Sequence, residues 1–257
     1  MINKNLDIEK IGQEYQNSTA RYVLIEDLFD TELIKECENE FLNIPDELFF
    51  RYADPLFEWE KYALNKVDIM PERLRNLFNF LHSDTFLKFI RTITGLEQLL
   101  VDEKRWGGGL HKTKRGGYLS THKDFNVLPD TYSSDIQLLR SINLIGYLSD
   151  EDQHLNKGEL EIWEGEKVHK ILNRFNNWVI FDTRDTFHGH PYPFEGQKPR
   201  MSIASYYYLP QVVDSDKWKS TEYLKLPWME DSEEYMKRRE DRSNPKIRYS
   251  NLIKNLN

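Results

Sequence analysis

The sequence predicts a mainly β protein in which α-helices flank a barrel or two-sheet sandwich, and three observations support this. From about residue 98 to residue 209, short apolar runs recur between turn residues, the pattern of all-β sandwiches and barrels. Ahead of them, apolar residues fall at helical spacing. The 257 residues suit one large domain, a length that β-barrel units often reach alone.

In chain order, residues 1–20 are polar and predict a loose lead-in. In RYVLIEDLF the alternation of Val23 and Ile25 predicts a short strand. Asp30 or Thr31 can cap a helix carrying Leu33, Ile34, Cys37, Phe41 and Leu42. Pro71 opens a second helix in PERLRNLFNFLH, and Asp84 can cap a third in TFLKFIRTIT, which stops at Gly95. These stripes, within 30–95, are expected to pack against a sheet and carry no chemistry. Strands follow near LLVDEKRW, YLSTHKD, INLIGYL, ELEIW, WVIFDT and RMSIASYYY. Gly107–Gly109, Gly116–Gly117, Gly158, Gly165 and the segment HPYPFEGQKP separate them. A single domain over 21–209 results, with its strand-rich core at about 98–209. Residues 210–257 form a charged extension. Its run EEYMKRREDR is expected as an exposed helix or tail facing solvent, with a lid or partner-binding element as the alternative. No internal repeat stands out.

Hydrophobic residues make up 39% and charged residues 30% of the chain, which allows a sizeable core and argues against global disorder. The net charge of −8 repels phosphate backbones, so nucleic acid is not an expected partner. Cys37 is the sole cysteine, which leaves no intramolecular disulfide and no cysteine-based zinc site. MINKNLDIEK is charged throughout and unlike a signal peptide. No apolar run approaches the roughly 18 residues that span a bilayer. A soluble, cytoplasmic protein without a membrane partner is expected.

The candidate chemistry begins in GGYLSTHKDFN. On a strand, residues i and i+2 share a side, so His122 and Asp124 aim an imidazole and a carboxylate at one spot. That is two-thirds of a His/His/carboxylate iron site. Among the other histidines, His82 lies in a helical pattern, and His154 and His169 sit among polar turn residues; all three are expected at the surface. His188 and His190 directly follow the apolar strand WVIFDT. Either can complete the triad, and both would face one way if the strand continued. Gly189 and Pro191 argue that it stops, so one of the two is expected to bind, and adjacency to the strand favours His188. Arg200 then opens RMSIASYYY, sharing a strand face with Ser202, Ala204 and Tyr206. A guanidinium entering a buried face needs an anion, and its fork beside a hydroxyl suits a bidentate carboxylate. A bound organic acid is one candidate, and a structural salt bridge to one of the chain's acids is the other.

At GGGLH (107–111), GGYLSTHKDFN, LRSINLIGYLSD, KGELEIWEG, FHGHP and RMSIASYYY the sequence resembles the Fe(II)- and 2-oxoglutarate-dependent dioxygenases, on the prolyl-4-hydroxylase-like branch. The resemblance runs from about Tyr22 to Leu209. It implies a double-stranded β-helix, the jelly-roll, cupin-like core of that family, with helices preceding it. It implies His122, Asp124 and His188 as iron ligands, with His190 in a supporting or substrate-side place. It implies Arg200 as the partner of the distal carboxylate of 2-oxoglutarate, with Ser202 assisting and Tyr147 donating to the same carboxylate. Asn143 shares a strand face with Tyr147, and Tyr118, four residues before His122, is expected on the face of the ligands. Both are candidates for the cosubstrate pocket, the alternative being core polar groups with local partners. The loop between His188 and Arg200 is slightly longer than in the better-known prolyl hydroxylases, which bears on the choice between His188 and His190. Asp124 stands where related halogenases carry Gly or Ala, so oxygen transfer is implied and halogenation is not.

The activity implied uses Fe(II), 2-oxoglutarate and O2, and admits ascorbate. It would hydroxylate an unactivated C–H while 2-oxoglutarate becomes succinate and CO2. The substrate would be a prolyl or peptidyl residue or a small biosynthetic metabolite, with contacts expected at Trp106, His111 and the loop 126–137. Two alternatives come from other classes. A non-catalytic β-helix binding or sensing module has little use for triad and arginine together. A zinc-dependent hydrolase on the same triad leaves Arg200, Ser202 and Tyr147 without a task.

Overall fold

The computed structural model describes residues 1–149 and 157–244; His154 and the end of the charged tail lie outside them. Helices α1 (Ile8–Asn17), α2 (Thr31–Leu42), α3 (Glu72–Leu81) and α4 (Asp84–Thr94) come early, and α5 (Glu233–Ser243) comes last. The strands are β1 (Tyr22–Glu26), β2 (Phe50–Asp54), β3 (Glu58–Leu64), β4 (Leu100–Val101), β5 (Gly109–Lys123) and β6 (Gln137–Tyr147). They continue with β7 (Leu160–Glu164), β8 (Lys167–Ile171), β9 (Asn177–Asp182), β10 (His188–His190), β11 (Arg200–Gln211) and β12 (Glu222–Tyr223). All pair antiparallel along the path β1-β9-β6-β11-β5-β10-β7-β8, with β3 and β12 on the other side of β5. The result is a nearly closed jelly-roll barrel with flanking helices, a double-stranded β-helix.

The long strand β5 closes the barrel. Its first part pairs with β11, Thr113 opposite Arg200 and Gly109 opposite Ala204. Its last part pairs with β10, His122 opposite His188. One continuous strand therefore carries residues of both halves of the site. The helices pack on the sheet as their stripes predict: Leu74, Leu77, Phe78, Phe86, Ile90 and Ile93 share a core with Ile142, Leu144, Trp178, Ile180 and Ile203. Each such side chain contributes about 1.5–3 kcal/mol by leaving water.

Gly146 shows how tight this packing is. A Cβ built there would lie 2.3 Å from the indole of Trp178, which is wholly buried. Gly146→Ala is expected to cost about 1–3 kcal/mol through overpacking; urea unfolding checks this, and an unchanged midpoint would refute it.

The helix starts differ slightly from expectation. Asp30 caps α2, accepting from Leu33 N–H at 3.1 Å, but Ser83 caps α4 and Asp84 is its first residue. Gly95 ends α4 with φ of 72°, as a left-handed cap requires. Larger departures lie elsewhere. The lead-in 1–20 is not loose: α1 buries Ile11, Gly12 and Tyr15. The hairpin β2–β3 interrupts the helical stretch 30–95, hidden in the sequence by Pro55 and dense charge. Strand LLVDEKRW shrinks to Leu100–Val101, because the Asp102 carboxylate accepts from the Lys104 and Trp106 N–H groups and turns the chain. The helix over EEYMKRREDR forms as α5, yet it is not simply solvated. Tyr235 is buried against Phe57, Arg238 pairs with Asp54, and Arg242 pairs with Asp54 and Glu58. No helix among the described residues is long and apolar enough to cross a membrane.

Candidate metal and cosubstrate site

A cavity of about 510 Å³ opens inside the barrel. On its wall His122, Asp124 and His188 each offer one ligand atom, all within 4.8 Å of one another. The imidazoles are oriented from behind. His122 Nδ1 lies 2.9 Å from the Ser120 carbonyl and His188 Nδ1 lies 3.2 Å from the Thr186 carbonyl. Those carbonyls accept the Nδ1 protons and leave each Nε2 lone pair free, the arrangement metal-binding histidines use. The Nε2 atoms stand 3.6 and 3.7 Å from the two Asp124 oxygens. Burial, then the neighbouring His122 ring, pushes His188 down to about 4, so it is neutral at physiological pH. Asp124 responds in the opposite way. Burial alone would raise its pKa, but Arg140 and the two imidazoles hold it well below the usual carboxylate range. Its Oδ2 is buried without a hydrogen-bond donor among the described residues. Two imidazole Nε2 lone pairs and one carboxylate oxygen with an unmet acceptor are a donor set that fits Fe(II).

The strand of WVIFDT does stop, as β9 at Asp182, so His188 is not at its end; His188 and His190 lie instead on the separate short strand β10, which runs through both. Gly189 permits this, since a Cβ there would lie 2.9 Å from the Leu119 carbonyl of β5. Both histidines therefore line the cavity, yet only His188 joins the cluster of ligand atoms. His190 is buried, and its Nδ1 has no partner among the described residues. Burial, then the Arg200 charge, lowers its pKa.

Arg200 stands on the same wall, buried. Its Nε donates to the Gly158 carbonyl at 2.8 Å, Nη1 to Ser202 Oγ at 3.4 Å, and Nη2 to Tyr147 Oη at 3.3 Å. All three partners are neutral oxygens, and no described carboxylate pairs with it. Ser202 and Asn143 line the cavity, and Asn143 Oδ1 is buried without a partner among the described residues. Tyr147 is wholly buried and braces Arg200 but does not line the cavity.

Tyr118 departs from expectation. Its hydroxyl donates to the Pro55 carbonyl at 2.7 Å, its ring packs edge-on to Trp228, and it is absent from the cavity wall. The register explains this. His190 pairs with Leu119 while His188 pairs with His122, so β5 carries an extra residue. Such a bulge breaks the two-residue alternation, and Leu119 faces the cavity instead. His111 lines the cavity as expected, whereas Trp106 and the loop 126–137 do not. The Trp106 indole donates to Asp130. His82 and His169 are not plain surface groups, since His82 meets Ser205 and His169 meets Glu164.

Arg140 is the residue that sequence reasoning missed. It is buried 3.3 Å from Asp124, clasped between the Phe125 and Tyr206 rings at 3.7 and 3.8 Å, and donates to the Trp106 carbonyl. A lone arginine in an apolar strand was the available signal. A second bulge, in the β6–β11 pairing between Arg140 and Ile142, turns it toward the same side as Asn143. Arg140→Met is expected to lower iron affinity by about 10–100-fold, as loss of a support behind a metal ligand does. Iron titration of the purified variant checks this; unaltered affinity would remove Arg140 from the centre.

Comparison with known proteins follows from this geometry. Residues 82–208 match the family model of the 2OG-Fe(II) oxygenase superfamily. No curated protein matches the chain. Among solved structures, a Pseudomonas putida prolyl-4-hydroxylase is similar with a TM-score of 0.57 at 11% identity, over 79% of this chain and 98% of that one. A Trichoplax adhaerens prolyl hydroxylase, in complex with a hypoxia inducible factor oxygen degradation domain peptide fragment, gives 0.57 at 15%, over 80% and 94%. HygX from Streptomyces hygroscopicus, with nickel, 2-oxoglutarate and hygromycin B bound, gives 0.55 at 14%, over 77% and 86%. At these identities the likeness is one of fold. Together with the family match over residues 82–208 and the His–Asp–His cluster, it makes the chain similar to the dioxygenases of the 2OG-Fe(II) oxygenase superfamily.

Proposed function

We propose that this chain hydroxylates an unactivated C–H bond of a prolyl, peptidyl or small-metabolite substrate, converting 2-oxoglutarate to succinate and CO2. One observation carries the reading: a His–Asp–His cluster and a buried arginine without a carboxylate partner among the described residues share one cavity. His122, Asp124 and His188 would hold Fe(II), which with 2-oxoglutarate and O2 supplies the oxidising chemistry. Arg200, with Ser202 beside it, would take the distal carboxylate. Tyr147 fixes the guanidinium, so less ordering is needed when the acid arrives. Arg140 keeps the Asp124 carboxylate ionised and in place. Ile145 and Leu160 line the wall and help keep water from the reacting carbon.

The direct test is anaerobic addition of Fe(II) and 2-oxoglutarate, where a weak visible charge-transfer band is expected. Succinate release is then followed in air, with ascorbate as the proposed accessory. Absence of both band and succinate would overturn the reading.

A further inference from the structure

We propose that Lys61 receives a carboxylate of the primary substrate, which makes that substrate a small organic acid; this rests on the function proposed above. Among the described residues, the cations on the cavity wall are Lys61, Arg140, Arg200 and Arg242, and the carboxylates are Glu58, Asp124 and Asp241. Asp124 is taken by Arg140. Glu58 accepts from Arg242 at 3.2 Å. Arg200 is committed to the cosubstrate. Lys61, its side chain only 13% exposed, has a long ion pair with Glu58 Oε2 at 3.8 Å, beyond hydrogen-bonding distance, to a carboxylate whose other oxygen takes Arg242. Among the described residues nothing accepts a hydrogen bond from it, and it rests over the Tyr52 ring at 4.7 Å. A sheltered ammonium that shares its one near carboxylate with an arginine still has unused donors, which an incoming carboxylate would satisfy.

The backbone holds Lys61 there at some strain. Glu60 has φ of 46°, a left-handed conformation in a non-glycine residue, where the β3–β5 register shifts. That bulge brings Glu58 and Lys61 to the same side although an odd number of positions separates them. Such strain tends to persist where a site needs it. Lys61 also stands apart from Arg200. It lies opposite Thr113, and Thr113 lies opposite Arg200, two strand spacings or roughly 9–10 Å of sheet. Asp241 and Arg242 of α5 form part of the same wall.

The test compares free α-amino acids and other small carboxylic acids with their primary amides, and with proline-containing peptides blocked at both ends. Succinate release is read with the Fe(II) enzyme, and binding by calorimetry with the Ni(II)–2-oxoglutarate complex. At least one acid should bind tenfold or more tighter than its amide. Lys61→Met should erase that difference and raise the acid's KM at least tenfold with kcat within threefold, and Lys61→Arg should restore part of it. Affinity for 2-oxoglutarate should stay within twofold in both variants. Equal binding of acid and amide, binding by blocked peptides alone, or no binding by any acid would overturn the proposal, and the acid–amide comparison holds even if Lys61→Met fails to fold. Loss of 2-oxoglutarate affinity in Lys61→Met would instead assign Lys61 to the cosubstrate and overturn it too. Failure of the wild-type protein to bind 2-oxoglutarate would remove the functional reading itself, a distinct result.

Discussion

Asp124→Ala protein is expected to purify without stoichiometric iron and to release no measurable succinate. The carboxylate is the single anionic donor of the cluster, and without it two imidazoles alone face a dication in a cavity that already holds Arg140. A second consequence follows from the same pair. Arg140 is 2% exposed and gains its charge partner from Asp124. Removing one member of a buried ion pair leaves an uncompensated charge and costs about 3–5 kcal/mol. The metal-free variant should therefore unfold at lower urea than the metal-free wild type. Iron quantification and equilibrium unfolding check the two effects separately. Wild-type iron content in the variant would show that the metal sits elsewhere. Unchanged stability with lost iron would show that the Trp106 carbonyl and the flanking rings satisfy Arg140 on their own.

Arg200→Met should separate the cosubstrate from the metal. The guanidinium is buried and held by three neutral oxygens, so its geometry is set before any acid binds. Truncating one partner of a buried, hydrogen-bonded charge pair costs about 2–5 kcal/mol, and the lower bound already means roughly 30-fold weaker binding of 2-oxoglutarate. Iron content should stay near the wild-type level, because no ligand atom of the cluster touches Arg200. Arg200→Lys should recover only part of the affinity, since an ammonium cannot reproduce the planar fork. Calorimetry of 2-oxoglutarate binding and iron assay together decide the matter. Equal loss of metal and cosubstrate would count against the assigned role.

Features governed by a few neighbouring residues were legible in the sequence. The helical stripes of α2, α3 and α4, the barrel-forming strands, and the pairing of His122 with Asp124 all follow from local periodicity and needed no knowledge of the rest of the chain. The face shared by Arg200, Ser202, Ala204 and Tyr206 was legible for the same reason, because β11 runs straight there.

What only the tertiary structure decided involves pairing between distant segments. Bulges in β5, β6–β11 and β3 shift side chains from one face to the other, which removes Tyr118 from the cavity and brings in Leu119, Arg140 and Lys61. Alternation read from one strand cannot show an extra residue, because a bulge is defined by the partner strand. The choice of His188 as the member of the cluster rests on its register opposite His122. The charged run near the C-terminus becomes a cover only because Asp54 and Glu58, far away in sequence, accept its arginines. Hydrophobic periodicity is a local property of the chain, whereas charge compensation inside a cavity depends on which distant groups the fold places together.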